Sequence, residues 1–233
     1  MNVRYLNVSR RSLLSALAQF SVASSAVAHS MQELSQEFVT DEKYFQPVDS
    51  DAPSFTLQDA DGRKVSLSDF KGKIVVLNFI FTNCPDFCPL HAEKVAEIQK
   101  MVNITPMKEL VEFISVTTDP ARDSGPVLKD FGENHGLSPV NWTFLTAAPG
   151  SAEDSTRELA KSYGAEFSVR PKGDQMHGIV TSIIRGDGRL VARFHGLKFE
   201  NLNLVTFVNA LINHYDSQNY REPGFWDWLK VWF

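Results

Sequence analysis

Two cysteines are all that 233 residues provide, so an iron–sulfur cluster or zinc site needing four thiolates from one copy of the chain is excluded. Positive charge is also in the minority, with 23 Lys and Arg against 28 Asp and Glu and a net charge of −5. Binding to phosphate backbones needs a basic face, and with none on offer nucleic acid is excluded as a partner. Long apolar runs are missing too. The stretch from Leu13 to Ala23 is broken by Gln19 and several serines, short of the roughly 20 strongly apolar residues of a comfortable spanning helix. A multispan membrane protein is excluded by the balance of 43% hydrophobic and 22% charged residues, which suits one soluble domain with a real core and some extensions.

The start of the chain has a character of its own. Arg4, Arg10 and Arg11 precede the apolar run, and Ala26-Val27-Ala28 closes it with a small-x-small pattern. That order reads as a signal peptide over residues 1–28. Ser9-Arg10-Arg11-Ser12-Leu13-Leu14 resembles a twin-arginine signal, and an uncleaved anchor is the other reading. Either one sends the domain out of the cytoplasm, to the periplasm or to the periplasmic face of the inner membrane. Residues 29–52, with Gln32, Glu33, Glu37, Asp41 and Glu42, read as a polar tether, residues 53–215 as the domain, and 216–233 as an aromatic tail. In that tail Phe225, Trp226, Trp228, Leu229, Val231, Trp232 and Phe233 crowd together. It either packs on its own domain or serves docking, including association with a membrane surface.

Within the domain, hydrophobic periodicity and turn residues mark the elements. Phe55-Thr56-Leu57 and Val65-Ser66-Leu67 flank Asp59-Ala60-Asp61-Gly62, a hairpin signal. Ile74 to Phe81 is continuously apolar except for Asn78, as in a central strand covered on both faces. A helix with Val95, Ile98 and Val102 on one face follows, then a strand from Phe113 to Thr118 and a helix around Val127, Leu128 and Phe131 that Gly136 can end. Trp142 to Leu145 is a further strand, with a helix to Tyr163 after it. Ile179 to Ile184 and Leu190 to Phe194 bracket Gly186-Asp187-Gly188 as an antiparallel hairpin, and a last helix carries Leu204, Val205, Val208, Leu211 and Ile212. The sum is an α/β sandwich with a mixed central sheet flanked by helices.

Chemistry concentrates where the central strand hands over to its helix, at Thr82-Asn83-Cys84-Pro85-Asp86-Phe87-Cys88-Pro89. In an exported chain two cysteines ordinarily form a structural disulfide, but a bridge from Cys84 to Cys88 closes a tiny loop and removes little unfolded-chain entropy. A helix N-terminus favours thiolate over thiol, and thiolate is both the redox nucleophile and the soft-metal ligand. Both uses of the pair stay open. Two sulfurs and one imidazole suit copper(I), with room for another ligand in the copper(II) state. Of six histidines, His91 lies one helical turn beyond Cys88. His29 would head the chain after cleavage, and His135, His195 and His214 fall near element ends. Spacing leaves His91 and His177 both standing.

Phe81-Thr82-Asn83-Cys84-Pro85-Asp86-Phe87-Cys88-Pro89 resembles the F-T-x-C-P-D-x-C-P signature of the Sco/SenC family of copper-binding proteins. Val116-Thr117-Thr118-Asp119-Pro120-Ala121-Arg122-Asp123 looks like that family's S-V-D-P-x-R-D segment. The likeness extends over roughly Pro53 to Asn213 and implies a thioredoxin-like fold, whose element order is the one read above. It also implies that the third copper ligand is the histidine ahead of the late hairpin, which here is His177. Met176 and Gly178 replace the aspartate and serine usual beside it, so Met176 offers a weak thioether contact. Asp119 falls at a position linked to partner interaction or metal uptake, against the plainer reading that it caps the turn ahead of Pro120. The implied function is a metallochaperone delivering copper to a cuproenzyme, chiefly the binuclear copper centre on the copper-bearing subunit of cytochrome c oxidase. The alternatives are a thiol-disulfide oxidoreductase in which Cys84 and Cys88 cycle against the cysteines of that site and a thiol reductant, and, further off, a peroxidase.

Overall fold

The computed structural model describes residues 42–84, 87–152, 154–165, 167–169 and 175–219, together with 38 and 40, and for 167–169, 175–177 and 215–219 only the backbone. The strands are β1 (Phe45–Asp51), β2 (Thr56–Asp59), β3 (Lys64–Ser66), β4 (Ile74–Ile80), β5 (Val111–Thr117), β6 (Trp142–Thr146), β7 (Phe167–Val169), β8 (Gln175–His177), β9 (Val180–Ile184) and β10 (Arg189–His195). The helices are α1 (Phe87–Asn103), α2 (Gly125–Asn134), α3 (Ser155–Ser162) and α4 (Asn201–Asn219).

β4 is the axis of the molecule, and every one of its residues is buried. It runs parallel to β5 and antiparallel to β9, within one sheet of order β1-β10-β9-β4-β5-β6-β2-β3. Because successive side chains point to opposite faces, the single apolar run of β4 feeds two cores. Ile74 and Val76 pack with Phe113, Ile183, Val95, Ile98, Phe207 and Leu211 under α1 and α4. Val75, Leu77 and Phe79 pack with Ile114, Val116, Ala160 and Tyr163 on the α3 side. The expected mixed sheet flanked by helices is therefore what the chain forms.

Two expectations change. Residues 29–52 are not all tether, since β1 pairs antiparallel with β10 and Phe45 is buried in edge-on contact with Phe194 and Phe207. Gln46, Asp49 and Asp51 of that segment lie on an exposed edge strand, where charge discourages pairing with a second chain. Ahead of the late hairpin, β8, which ends at His177, pairs with β7 in a small ribbon separate from the main sheet. The last helix also runs to Asn219, past the expected boundary at 215. Residues 1–28, expected to be a signal segment, and residues 220–233, which carry the expected aromatic tail, lie outside the described residues. Among the described residues no helix is long and apolar enough to cross a membrane.

Glu42 shows how firmly the region before β1 is tied in. It is buried, and its carboxylate accepts hydrogen bonds from the N–H groups of Tyr44 (3.1 Å) and Glu200 (3.0 Å) and from the Asn203 amide (2.8 Å). Burial works to raise its pKa, but those bonds and the charge of Lys94 outweigh it and hold the carboxyl below its ordinary value. A group depressed on folding stabilises the fold above its unfolded pKa, and that stability is lost as pH falls through the folded one. We expect the gap in Tm between wild type and Glu42→Gln to be widest near neutral pH and to close below about pH 4; a gap constant with pH would refute this.

Candidate metal centre

The end of β4 delivers the site. Phe81 is still buried, and the chain then turns, with the Cys84 N–H donating to the Phe81 carbonyl at 3.3 Å. Cys84 is half-buried and lies ahead of α1, whereas Cys88, the second residue of that helix, is 1% exposed. The Cys88 N–H donates to the Cys84 Sγ at 3.4 Å, and no disulfide joins the two. A helix N-terminal amide is thus spent on the outer sulfur, the contact that favours negative charge there.

The inner sulfur behaves differently. Its hydrogen bond with Cys84, then burial, and also the charges of Cys84 and Asp123, push the Cys88 thiol far above the ordinary cysteine value, against an opposing hydrogen bond with the Phe81 backbone. The helix N-terminus therefore does not make both cysteines thiolates by itself. A soft cation can displace such a proton, since binding and deprotonation are linked, and a disulfide can form by the same loss of protons with two electrons. The geometry serves either chemistry.

The turn after β5 packs beside this loop. The Thr118 N–H donates to the Ile80 carbonyl at 2.8 Å, and Asp123, with no exposed surface, accepts from the Thr82 N–H at 3.1 Å and from the hydroxyls of Thr82 and Thr117. Asp119 is 6% exposed; its backbone carbonyl accepts from the N–H groups of Arg122 and Asp123, and its carboxylate pairs with the Arg122 guanidinium. The Asp119 backbone thus closes the turn, while its carboxylate is engaged by Arg122. Asp123 is the residue that sequence reasoning passed over as a functional candidate, although it closes the Asp119-to-Asp123 motif.

The histidines separate clearly. His91 is 1% exposed and its Nε2 lies 2.8 Å from the Thr181 Oγ1 on β9, so its ring is built into the core. His195 bonds Gln46, and the His135 ring lies tilted against that of Phe131, with centroids 4.5 Å apart. The side chain of His177 and the whole of His29 lie outside the described residues. The backbone of His177 ends β8, opposite Phe167, and only Gly178 and Ile179 separate it from β9. Since β9 is antiparallel to β4, it begins at the end of the sheet where β4 leaves for Cys84. Among the described residues no three His, Cys, Asp or Glu side chains cluster to hold a metal.

A sequence model of the family described as SCO1/SenC matches residues 46–212. The chain belongs to the SCO1/SenC family. Among its SCO1/SenC relatives, the SCO1 protein homolog of Bacillus subtilis is 30% identical over 154 residues, covering 65% of this chain and 77% of that protein. The mitochondrial SCO1 of Saccharomyces cerevisiae is 27% identical over 173 residues, 70% of this chain and 53% of the relative. The chain covers between 48% and 63% of the length of the mitochondrial relatives that it matches. Solved structures agree in fold. A SCO1/SenC family lipoprotein from Bacillus anthracis has a TM-score of 0.64 at 26% identity, covering 71% of this chain and 97% of that one. BsSco, described as a member of the Sco family of cytochrome c oxidase assembly proteins with a disulfide switch, gives 0.62 at 31%, covering 72% and 96%. Yeast Sco1 with copper bound gives 0.57 at 26%, covering 74% and 91%. The thioredoxin-like expectation holds for this SCO1/SenC chain.

Proposed function

We propose that this SCO1/SenC protein is an exported copper carrier that holds one ion between Cys84, Cys88 and His177 and delivers it to a cuproenzyme, the binuclear copper centre of a cytochrome c oxidase. The observation that carries the reading is the sulfur pair itself, with the Cys88 N–H on the Cys84 Sγ at 3.4 Å. It sits at the sheet end where the chain arrives from His177. Two thiolates and an imidazole are a soft, low-coordinate donor set for copper, and a half-buried outer sulfur leaves a path for ligand exchange. The copper-bound yeast relative supports the cargo, and the description of BsSco supports the recipient. Asp119, in the turn beside the site, is assigned to contact with that recipient or to metal uptake.

A second reading uses the same sulfurs to reduce the disulfide of the receiving site, with both electrons coming from the Cys84 and Cys88 dithiol and a thiol reductant restoring it. The disulfide switch described for BsSco favours keeping it. Mixing copper-loaded protein with the metal-free receiving domain separates the two. Copper leaving while two titratable thiols remain is the carrier result. The other arm mixes metal-free reduced protein with the receiver in its disulfide form: loss of both thiols and two new ones on the receiver, while loaded protein gives up no copper to the reduced receiver, is the reductase result and overturns the carrier reading.

A further inference from the structure

Asp123 is a carboxylate with no exposed surface that, among the described residues, is met by hydrogen-bond donors and by no cationic side chain. The adjacent Arg122 is turned onto Asp119 instead. Its donors are the Thr82 N–H and Thr117 hydroxyl on Oδ2, and the Thr82 hydroxyl on Oδ1. Thr82 stands two residues ahead of Cys84, and Thr117 ends β5. One side chain thus clamps the cysteine loop to the neighbouring strand. The carboxylate is also held, away from solvent, on the backbone of the loop that carries the outer sulfur, two residues ahead of Cys84.

We propose that Asp123 is a positioning residue of the metal centre: it pins Thr82, and through it the Cys84 loop, to the end of β5, and its negative charge shifts the balance of the bound ion from copper(I) toward copper(II). This rests on the copper-carrier reading. When two thiols lose their protons to bind copper(I), the site gains one negative charge; with copper(II) it gains none. A buried anion nearby opposes the first outcome and is neutral toward the second, because field effects are little screened away from water. Reduction of the bound ion, by one electron from an outer-sphere reductant, therefore works against Asp123. The reduced ion is held less tightly and is surrendered more readily.

Hydrogen-bond chemistry allows the charge and the clamp to be removed separately. In Asp123→Asn the amide oxygen can take the place of Oδ2 and accept from the Thr82 N–H and the Thr117 hydroxyl, while the amide nitrogen donates to the Thr82 hydroxyl, which accepts as well as donates. That variant loses charge and keeps the clamp. Asp123→Ala loses both.

The test measures the copper(II)/copper(I) potential of the loaded full chain and, without metal, the hydrogen-exchange protection of the Thr82 amide. For Asp123→Asn we expect the ratio of copper(I) to copper(II) affinity to rise about tenfold, ~59 mV upward for a one-electron couple, with Thr82 protection retained. Asp123→Ala should lose that protection too, and if it fails to fold, Asp123→Asn decides the charge and Thr117→Val the clamp. A merely structural role would not move the potential of a well-protected variant. A wild-type potential in Asp123→Asn overturns the proposal. If wild-type protein takes up no copper at all, the carrier reading fails first and the charge effect with it, while Thr82 exchange still decides the clamp.

Discussion

His177→Ala is expected to weaken copper binding by roughly 100-fold or more, whereas His91→Ala leaves stoichiometry and affinity near wild type. Loss of an outer-shell partner alone costs 10–100-fold at metal sites, so loss of a direct ligand should reach or pass the upper end. The contrast matters because both histidines are compatible with the spacing of the cysteines. His91 is one helical turn from Cys88, but its Nε2 is committed to Thr181 at 2.8 Å and the residue is 1% exposed. Turning that ring to a metal would break a buried hydrogen bond and leave the Thr181 hydroxyl unsatisfied, a cost of about 1–3 kcal/mol. His91→Ala should instead lower Tm, as removal of a core side chain does. Copper titration of the reduced proteins is the measurement. Equal affinity in wild type and His177→Ala, with loss in His91→Ala, would overturn the ligand assignment.

The same pair shows what a sequence can and cannot disclose. The run from Ile74 to Phe81 is legible because a strand buried on both faces must be apolar at every position, and α1 is legible because Val95, Ile98 and Val102 recur at helical spacing. The Cys84 and Cys88 pair is legible because it falls at their junction. β1 is not, since an edge strand with one anchoring aromatic at Phe45 and solvent-facing polar residues has the composition of a tether. Nor is the commitment of His91, whose partner is 90 residues away. Asp123 reads as one more acidic turn residue until Thr82, 41 residues distant, is seen donating to it. Local pattern announces elements, but a polar group's role depends on a partner that only the folded register supplies.

Gly125→Ala should destabilise the protein by about 3 kcal/mol or more, the direction opposite to that expected from helix propensity. Exchanging glycine for alanine inside a helix ordinarily gains up to about 1 kcal/mol. At Gly125, the first residue of α2, a Cβ would stand 2.1 Å from the Ala60 carbonyl oxygen and 2.9 Å from its carbon. These are backbone atoms, so no rotamer change relieves the clash, and either α2 or the β2–β3 turn must shift. For a chain of this size 1 kcal/mol moves Tm by about 2–4 °C, so the expected fall is roughly 6–12 °C. Val127→Ala, half-exposed on the same helix, should change Tm little. The displacement also bears on the metal centre, because α2 begins two residues after Asp123 and any shift of its first turn pulls on the clamp at Thr82. Weaker copper binding should therefore accompany the lower Tm in Gly125→Ala and be absent in Val127→Ala. A Tm at or above wild type would show that α2 does not approach the turn so closely, and copper binding unchanged in a destabilised variant would show that the clamp is insulated from it.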